Sequence, residues 1–499
     1  MSTKICLVLT EETIENNLQL VKDYAGYYDL VELRVDLLFS NETFYVRKFP
    51  ELAGVPSILT CRRISDGGKF NDGEGARFTI LAKALTFLDN NPRKNFAYVD
   101  FEQDFASLSL EEAARAFDIK IIRSLHNLKT PLSNITKEIE RIRHNDDEIV
   151  KLATIVPTLQ DFVPLLFQSP NSKKPYIVSG LGKYGYLSRI FAQRLGSELV
   201  YTFSEKYIKK HQLENELLDP ITLNNLYRFR SVGDTPKIFA VVGSNVTKSK
   251  SPELHNTFFK DKNIPACYVP ISVDSFDTFF SFAKKINIQG ASVTTPFKKD
   301  AVSSASEQKG TVKNIGVANT LINKNGTWQA YNTDIEGFRQ AITEFLGDEK
   351  LEKQKIAVLG AGGAAQAVCY ALYTMLKIRQ RKNICVFNRS KLKAQELAEK
   401  YGFSACPLLN NDETYEKLRK FSSLIINCTT LGTGKNSDRD PISFYRFTGT
   451  EKVFDLIYEP ERTKLLQRAK KAGCRISNGY RMLEIQAMEQ SKLFMGEEQ

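Results

Sequence analysis

The sequence lacks a long hydrophobic run, a paired-cysteine motif and a secretion-type N-terminus. No apolar run in the 499 residues approaches the length of about 18 that a transmembrane helix requires. The eight cysteines form no C-x-x-C pair and mostly lie within apolar runs, which favours reduced, buried thiols over disulfides or metal ligands. We therefore expect a cytoplasmic protein with no bound metal and no membrane partner.

The net charge excludes fewer classes of protein than the missing motifs do. The 69 Lys and Arg against 58 Asp and Glu give a formal net charge of +11, but these cations are dispersed and no aromatic stripe interleaves with them. A solvated surface or small anionic substrates explain this pattern better than a nucleic-acid partner does. A basic RNA-binding or NADP-sensing protein is the alternative from a different class. The sequence does not indicate an oligomeric state.

The pattern of the chain changes near residues 227–256. Before this stretch, short strand-like runs recur at even spacing, and after it a new unit opens with the run KIFAVVG. The Gly-Asp-Thr-Pro segment between them is too short for a flexible tether. It is therefore interpreted as a joint between two globular units.

Eight short runs in the first half have strand character, and stretches long enough for one helix separate nearly all of them. Eight strands alternating with helices over about 230 residues predict a (β/α)8 barrel, with an open doubly wound sheet as the competing arrangement. The runs are residues 4–10, 30–36, 56–62, 95–101, 119–127, 149–156, 175–182 and 198–203.

Charged side chains inside these runs mark where chemistry is expected in a barrel. Glu32 and Arg34 are two residues apart in LVELRVD, so they share one strand face. A sheet covered by helices has no solvent-exposed face to receive them, which favours function over an ordinary half-exposed strand. Lys151 lies in the apolar run IVKLATIV, and His126 lies near the end of the fifth run.

A buried amine and a histidine suit one kind of chemistry. Burial disfavours an ammonium and so favours a neutral amine, which can attack a ketone. A histidine beside such a lysine can move protons on the carbon next to the resulting iminium. Taken singly, Lys151 could also be a strand-end residue whose amine reaches water, and His126 a loop residue.

Five motifs of the first half occur in the order found in type I 3-dehydroquinate dehydratases, which this half resembles. They are E-x-R, TCR followed by DGG, SxHN, VKLAT and the GxxGxxSR of residues 182–189. The resemblance implies that Lys151 forms an imine with the substrate ketone, and that His126 abstracts the neighbouring proton and later helps water to leave. The residues it implies for substrate binding are Glu32, Arg34, Arg62, Asp66 and Arg189.

Two features depart from that family. Asp66 stands where the family usually has glutamate, so a contact with substrate or with His126 is expected to be weaker. After the eighth run the family closes its site with a Ser-Ala-Pro-Gly-Gln loop, and this chain has SEKYIKKHQLENELLDPIT instead. The serine and glutamine of that lid therefore have no counterpart in the prediction.

The second half contains a second set of candidate groups. Its opening turn has Ser249 and Ser251, whose hydroxyls suit a polyol or carboxylate, although such a serine-rich turn is also common surface loop. Lys298 follows the run QGASVTTPF, and Asp334 lies in NTDIEGF. A lysine and an aspartate brought together could relay a proton to or from an alcohol oxygen, but their sequence spacing does not show that they meet.

The segment KIAVLGAGGAAQAVCYAL has the pattern of a strand, a glycine turn and a helix. Gly360 and Gly362 allow a tight turn and close backbone approach, so a pyrophosphate can lie at the helix N-terminus. The next strand, NICVFNRS, ends without the acidic residue that binds NAD and instead carries Arg389. Because a guanidinium binds a 2′-phosphate that an acid would repel, we expect NADP.

These pieces resemble shikimate dehydrogenases, since SVTTPFK, IGVANT, NTDxxG, GAGGAA, NRS, INCTTLG, DLIYEP and GYRMLEIQA appear in family order. The resemblance implies that Lys298 and Asp334 are the catalytic pair. It implies substrate contacts by Ser249, Ser251, Thr294, Asn319, Tyr458 and Gln486. The implied cofactor-binding residues are Gly360, Ala361, Gly362, Gly363, Ala364, Asn388, Arg389, Ser390, Lys393 and Gly479. Lys248, Ala330 and Gln366 depart from that family's usual residues.

The predicted architecture is an N-terminal (β/α)8 barrel followed by a two-domain, shikimate dehydrogenase-like unit with a Rossmann domain. The predicted boundaries are 1–232, then 237–336 joined by the C-terminal helix region 476–499, and 337–475. The predicted reactions are dehydration of 3-dehydroquinate to 3-dehydroshikimate and NADPH-dependent reduction to shikimate. In an alternative, only the dehydrogenase is active and the barrel is a scaffold.

Overall fold

The structure is a computed structural model that describes residues 3–85, 89, 91–167, 174–214 and 216–497. The chain divides into two units. The first comprises residues 1–237, 263–267 and 281–286, and the second comprises residues 238–262, 268–280 and 287–499. Among the described residues, no helix is both long enough and apolar enough to cross a membrane.

Eight parallel strands alternate with helices in the first unit. The strands are β1 (Lys4–Leu9), β2 (Leu30–Arg34), β3 (Ser57–Thr60), β4 (Tyr98–Glu102), β5 (Lys120–Asn127), β6 (Ile149–Ile155), β7 (Tyr176–Leu181) and β8 (Leu199–Phe203). The helices are α1 (Ile14–Asp23), α2 (Phe49–Ala53), α3 (Glu74–Leu85), α4 (Leu108–Ala116), α5 (Ile135–Ile142), α6 (Leu159–Phe167), α7 (Gly185–Ile190), α8 (Glu205–His211), α9 (Pro220–Asn225) and α10 (Phe229–Val232).

These strands form a nearly closed barrel. Their order in the sheet is β7-β6-β5-β4-β3-β2-β1-β8. A backbone hydrogen bond of 2.8 Å from the Glu198 N–H to the Tyr176 carbonyl joins the chain at the two ends of this order. The predicted barrel is confirmed, and all eight predicted strand runs contain a strand.

Alternation along each strand explains why these runs form a barrel. Inward-facing residues from all eight strands meet in one apolar cluster, which includes Cys6, Leu30, Ile58 and Tyr98. On the first five strands, their sequence neighbours point outward into a larger cluster shared with the surrounding helices. A strand that is apolar on both faces is stable only when both faces are covered, as they are in a barrel.

A mixed sheet follows along the chain, mostly within the second unit, with order β10-β9-β11-β13-β14-β12. Strand β11 runs parallel to β9 and antiparallel to β13. The strands are β9 (Lys237–Gly243), β10 (Ala266–Ser272), β11 (Gly290–Val293), β12 (Glu307–Gln308), β13 (Thr320–Lys324) and β14 (Thr327–Tyr331). The helices are α11 (Ser251–Asp261), α12 (Phe276–Ile286), α13 (Asp300–Ser304), α14 (Val312–Ile315) and α15 (Asp334–Leu346).

A fully parallel six-stranded sheet follows, with order β17-β16-β15-β18-β19-β20. Numbered within this sheet the order is 3-2-1-4-5-6, the order of dinucleotide-binding Rossmann sheets. The strands are β15 (Ile356–Leu359), β16 (Ile384–Asn388), β17 (Ser404–Pro407), β18 (Leu424–Asn427), β19 (Lys452–Asp455) and β20 (Arg475–Ser477). The helices are α16 (Gly363–Met375), α17 (Ile378–Arg381), α18 (Lys391–Tyr401), α19 (Asp412–Phe421) and α20 (Lys464–Lys471).

The last helix, α21 (Tyr480–Phe494), returns to the mixed sheet. The ring centroid of Phe494 lies 4.7 Å from that of Phe239 on β9. A Cβ atom added to Gly290 on β11 would come within 2.8 Å of the same ring, so the helix packs closely on this sheet. Residues 498 and 499 of the predicted C-terminal region lie outside the described residues.

Candidate active sites

A layer of polar side chains lies directly above the apolar interior of the barrel, toward the carboxyl ends of the strands. Each member follows an interior apolar residue by two positions, and this spacing keeps it on the inner face. All are at most 5% exposed. The polar layer consists of Glu32 on β2, Thr60 on β3, Asp100 on β4, Ser124 on β5 and Lys151 on β6.

Lys151 is the central member of the polar layer. Its Nζ lies 3.1 Å from Asp100 Oδ2 and 3.4 Å from Glu32 Oε1. The Thr60 hydroxyl donates a 2.8 Å hydrogen bond to the same Glu32 oxygen. The Nζ atom also lies 4.0 Å from the ring centroid of Tyr201. The predicted buried lysine is therefore held between two carboxylates and an aromatic face.

Arg62 connects the polar layer to Glu102, which lies two residues beyond Asp100 on β4. Its guanidinium donates to Asp100 Oδ2 at 2.7 Å, to Glu102 Oε1 at 3.0 Å and to Ser124 Oγ at 2.9 Å. Burial raises the pKa of Asp100, but the charges of Arg62 and Lys151 outweigh it and hold that pKa below its usual range. Asp100 is therefore an anion shared by two cations.

His126 lies on β5, two residues beyond Ser124. Its side chain is partly buried, and its fully buried Nδ1 has no hydrogen-bond partner among the described residues. Burial, followed by the charges of Arg62 and Lys151, lowers the pKa of His126 well below its ordinary value. The imidazole is therefore neutral at neutral pH and able to accept a proton.

The remaining predicted residues of the barrel are anchored by other partners. Arg34 forms a two-point ion pair with Asp36, with distances of 2.8 and 2.7 Å. Arg189 donates hydrogen bonds of 3.0 to 3.2 Å to three backbone carbonyls. Asp66 Oδ2 accepts from Arg63 Nε at 2.8 Å and from a neighbouring serine hydroxyl. Asp66 is thus held by its own loop.

The segment after β8 takes the place of the expected lid loop. It forms helix α8 and then returns to the barrel, where the Phe203 N–H donates to the Leu218 carbonyl at 3.1 Å. Glu216 Oε2 accepts a 3.1 Å hydrogen bond from the N–H of Gly182, in the loop between β7 and α7. Asn215, within this segment, lies outside the described residues.

Sequence reasoning missed several members of this site. Asp100 and Glu102 are two apart on β4, the same spacing that identified Glu32 and Arg34, so that signal was present in YVDFE. Tyr201 carried no such signal, because an aromatic residue in a strand is usually core.

Lys298 and Asp334 meet in the second unit. Their side chains form a charged hydrogen bond, and both are largely buried. Asn319 Nδ2 donates to the other Asp334 carboxylate oxygen at 2.9 Å and lies 3.2 Å from Gln486 Oε1 on α21. The asparagine carbonyl oxygen in turn accepts from the Thr320 hydroxyl at 2.8 Å, which fixes the orientation of the amide.

The other side chains predicted to bind the substrate lie near the ends of elements of the second unit. Burial raises the pKa of Tyr458, and interactions with the Ser249 side chain and the Lys250 backbone partly offset that rise. Ser251 is buried at the start of α11. Thr294 follows β11, and its N–H donates to the Val242 carbonyl at 2.9 Å.

The glycine turn between β15 and α16 can accept a phosphate. Gly360 has a positive φ of 106°, and a Cβ atom there would lie 3.2 Å from Thr429 Cγ2. A Cβ atom at Gly362 would meet nothing within 4 Å, so this side of the turn is open. The first N–H groups of α16 have no partner within the helix, and they suit a pyrophosphate. A Cβ atom at Gly363 would lie 3.3 Å from Lys298 Cδ, so the turn adjoins Lys298.

The residues after β16 form the candidate 2′-phosphate site. Arg389 is exposed and has no ion pair among the described residues. The Asn388 side chain donates to the Ser390 carbonyl at 3.0 Å, and Ser390 caps α18 by accepting from the Lys393 N–H. The loop is thus ordered around a free guanidinium. Gly479 precedes α21, where a Cβ atom would lie 2.0 Å from the Leu456 carbonyl oxygen.

No group of three or more His, Cys, Asp or Glu side chains that could hold a metal ion occurs within the part of the chain that the structure describes.

Comparison with known proteins identifies the second half. Residues 241–321 match the model described as shikimate dehydrogenase substrate binding domain, and residues 342–432 match shikimate / quinate 5-dehydrogenase. The shikimate dehydrogenase (NADP(+)) of Shouchella clausii is 33% identical over 246 residues, which is 49% of this chain and 87% of that protein. The chain belongs to the shikimate dehydrogenase family.

The first half matches a second family. Residues 5–232 match type I 3-dehydroquinase. The chloroplastic bifunctional 3-dehydroquinate dehydratase/shikimate dehydrogenase of Arabidopsis thaliana is 28% identical over 486 residues, covering 94% of this chain and 78% of that protein. A crystal structure of shikimate 5-dehydrogenase from Thermus thermophilus with NADP(H) and shikimate is 28% identical, with a TM-score of 0.45, and the match covers 52% of this chain and 93% of that one. The predicted combination of type I dehydroquinase and shikimate dehydrogenase domains is confirmed.

Proposed function

We propose that this chain is a bifunctional enzyme that dehydrates 3-dehydroquinate to 3-dehydroshikimate and then reduces that product to shikimate with NADPH. The observation that carries the proposal is the presence, in one chain, of a buried lysine beside a neutral histidine and of a Lys298–Asp334 pair next to a glycine turn. The product of the first reaction is the substrate of the second.

In the barrel, we assign the covalent step to Lys151. The Lys151 ammonium first gives up one proton, and the resulting amine attacks the substrate ketone to form the Nζ–carbon bond. The ketone oxygen then leaves as water with that proton and a second proton from Nζ, so the iminium keeps one N–H and a positive charge. The iminium acidifies the adjacent carbon, and His126 removes a proton from it. The substrate hydroxyl then leaves as water with the proton returned by His126, and hydrolysis of the iminium releases 3-dehydroshikimate.

We assign binding of the substrate to anchored groups of the barrel. Arg34, Arg62 and Arg189 supply guanidiniums for the carboxylate, and Glu32 accepts hydrogen bonds from hydroxyls. Each guanidinium is already held in position by Asp36, by Asp100 or by backbone carbonyls. Less side-chain freedom is therefore lost on binding. Asp66, held by Arg63, is assigned a contribution to the shape of its loop.

In the second unit, we assign proton transfer to Lys298 and Asp334. Such a pair can give and take the proton that the substrate oxygen exchanges as the adjacent carbon is reduced. Asn319 and Gln486 orient Asp334 and the substrate hydroxyls, together with Ser249, Ser251, Thr294 and Tyr458. When bound, NADPH supplies the hydride.

The NADP site is assigned to the glycine turn and the loop after β16. The pyrophosphate is assigned to the turn formed by Gly360, Ala361, Gly362, Gly363 and Ala364, which is open at Gly362, and Gly479 allows close approach of the chain at the start of α21. Arg389 meets the 2′-phosphate, with Asn388, Ser390 and Lys393 shaping and charging the loop around it. Gln366, near the start of α16, is uncharged, so it does not provide a second cation for the 2′-phosphate.

Domain boundaries and location follow from the same assignment. We assign residues 1–232 to the dehydratase, 237–336 with 476–499 to the substrate domain, and 337–475 to the nucleotide domain. The three matched family regions fall within these boundaries.

A cytoplasmic location is supported by eight cysteines that are all free thiols. The partners we propose are the small-molecule substrates.

The test is to supply the whole chain with 3-dehydroquinate and NADPH, and to follow 3-dehydroshikimate, shikimate and NADPH. We expect 3-dehydroshikimate to appear before NADPH is consumed. Oxidation of NADPH with 3-dehydroshikimate but not with 3-dehydroquinate would show that only the dehydrogenase is active. Borohydride added with 3-dehydroquinate should leave a reduced adduct on the peptide that contains Lys151.

A further inference from the structure

Tyr201 is the one aromatic side chain that contacts the amine of Lys151 among the described residues. It lies on β8 two residues after the interior residue Leu199, so it shares the inner face and the level of the polar layer. The Lys151 Nζ lies 4.0 Å from its ring centroid, well within the range of a cation–π contact. Tyr201 is 5% exposed, so water does not screen this contact.

We propose that the face of Tyr201 is a catalytic element of the dehydratase, stabilising the cationic iminium formed at Lys151. This inference rests on the proposed function, because it requires that Lys151 forms the imine. The ring contacts the reacting nitrogen itself. Its contribution is electrostatic, since the negative face of an aromatic ring attracts a cation without accepting its proton.

Formation of the iminium removes N–H donors from Lys151 Nζ, and this loss explains why a ring face is needed there. An ammonium has three N–H groups and can hydrogen-bond to Asp100 and Glu32 together, as Lys151 does. A protonated iminium keeps one N–H, so it can keep a hydrogen bond to only one of these carboxylates. The attraction of a ring face depends on the charge and not on an N–H, so it is retained when the imine forms.

The hydroxyl of Tyr201 supports a role for the ring rather than for the phenol. Its oxygen is buried without a hydrogen-bond partner among the described residues. Burial, followed by the nearby Glu32 carboxylate, raises the pKa of Tyr201, so the phenol stays neutral and does not act as a base.

Tyr98 provides a matched control. It is also a buried tyrosine of the barrel interior, but it lies on β4 two residues before Asp100, one level below the polar layer. Replacing either tyrosine by leucine removes a ring of the same size from the same apolar cluster. Only Tyr201→Leu removes the ring that contacts Lys151.

The experiment compares full-length wild type, Tyr201→Leu, Tyr201→Phe and Tyr98→Leu. Single-turnover formation of the borohydride-trapped Lys151 adduct and kcat for dehydration are measured in each. Loss of a buried cation–π contact predicts that Tyr201→Leu slows both by about 5- to 30-fold. Tyr201→Phe keeps the ring, so both of its rates should be at least fivefold higher than those of Tyr201→Leu, a difference of about 1 kcal/mol. Tyr98→Leu should keep the wild-type rates.

Equal rates in wild type and Tyr201→Leu would overturn the inference, as would equal losses in Tyr201→Phe and Tyr201→Leu. If Tyr201→Leu fails to fold, the chain can be prepared with phenylalanines carrying one, two or three ring fluorines at position 201. These have nearly the same shape but a progressively weaker negative face, so the trapping rate should fall with each fluorine, and a constant rate would overturn the inference. Absence of any adduct in wild type would instead refute the proposed imine at Lys151.

Discussion

Both halves of the chain place a lysine beside a buried aspartate, but they surround the pair differently. In the barrel, Lys151 lies between Asp100, Glu32 and the face of Tyr201, and Arg62 shares Asp100. In the dehydrogenase, Lys298 contacts Asp334, whose second oxygen is fixed by an asparagine amide.

The difference corresponds to what each lysine nitrogen must do. We propose that Lys151 becomes covalently bound and loses N–H groups during the reaction, so its surroundings stabilise positive charge from several directions. Lys298 is proposed to keep its nitrogen unmodified and to present one proton to one oxygen. A single carboxylate in a fixed orientation is then enough, because proton transfer depends on the alignment of two groups.

The largest expected effect is reciprocal loss of the two activities. Lys151→Met should lower dehydration by about 10⁴-fold or more, because it removes the nucleophile. Lys298→Met should lower the kcat for reduction of 3-dehydroshikimate by about 10²- to 10⁴-fold, because it removes proton transfer. Each activity is measured separately, with 3-dehydroquinate alone and with 3-dehydroshikimate plus NADPH.

Each variant provides the folding control for the other. The activity that its substitution does not touch should stay within about twofold of wild type, since each substitution lies in a different unit. Loss of both activities in either variant, or dehydration retained in Lys151→Met, would contradict the separation of the two sites.

A smaller effect is expected from Arg389, which lies in the dehydrogenase alone. Arg389→Ala removes one charge-assisted contact with the 2′-phosphate, so binding of NADP should weaken by about 1.5 to 3 kcal/mol. The KM for NADP should rise accordingly, while the KM for NAD changes little. Lys391→Ala is the matched control, since it removes an exposed cation two residues away. Equal changes for the two cofactors would place the 2′-phosphate elsewhere.

More of the dehydrogenase site than of the barrel site could be predicted from the sequence. Lys298, Asp334 and the glycine turn occur in contiguous motifs, so their residues could be identified before the structure showed that they meet. The barrel site is assembled from single residues on separate strands. Lys151 and Glu32 were identified because a charge in an apolar strand is unusual, and Asp100 has the same signal two residues after Tyr98.

Tyr201 and the segment after β8 could not be predicted in this way. An aromatic residue in a strand has the same pattern whether it faces a lysine or a leucine, so only the three-dimensional contact distinguishes them. The residues that replace the lid loop carry no motif, and the contact of Glu216 with Gly182 spans 34 positions. Nothing in the local sequence specifies that contact.

The pH dependence of the two activities provides a further test of the barrel. Because burial lowers the pKa of His126, the imidazole stays neutral, and able to accept a proton, to a lower pH than an exposed histidine. The acid limb of kcat/KM for dehydration should therefore lie below pH 6.5, the ordinary pKa of histidine being about 6.5. An acid limb at or above that value would show that His126 is not the buried base. The profile of the dehydrogenase, recorded on the same preparation, controls for acid unfolding.

The smallest effect concerns two tyrosines, one in each unit, whose hydroxyls are buried without a partner among the described residues: Tyr201 and Tyr401. Removing an unpaired buried hydroxyl relieves its desolvation cost, so Tyr201→Phe and Tyr401→Phe should each stabilise their own unit by about 1 kcal/mol. The single tryptophan, Trp328, lies in the second unit, so its fluorescence during urea unfolding follows that unit. Tyr401→Phe should raise the fluorescence midpoint, whereas Tyr201→Phe should leave it unchanged and raise the midpoint of the remaining circular-dichroism transition. A lower midpoint in either variant would mean that its hydroxyl has a partner. For Tyr201, this would indicate that the phenol hydroxyl, and not only the ring face, contributes to the barrel site.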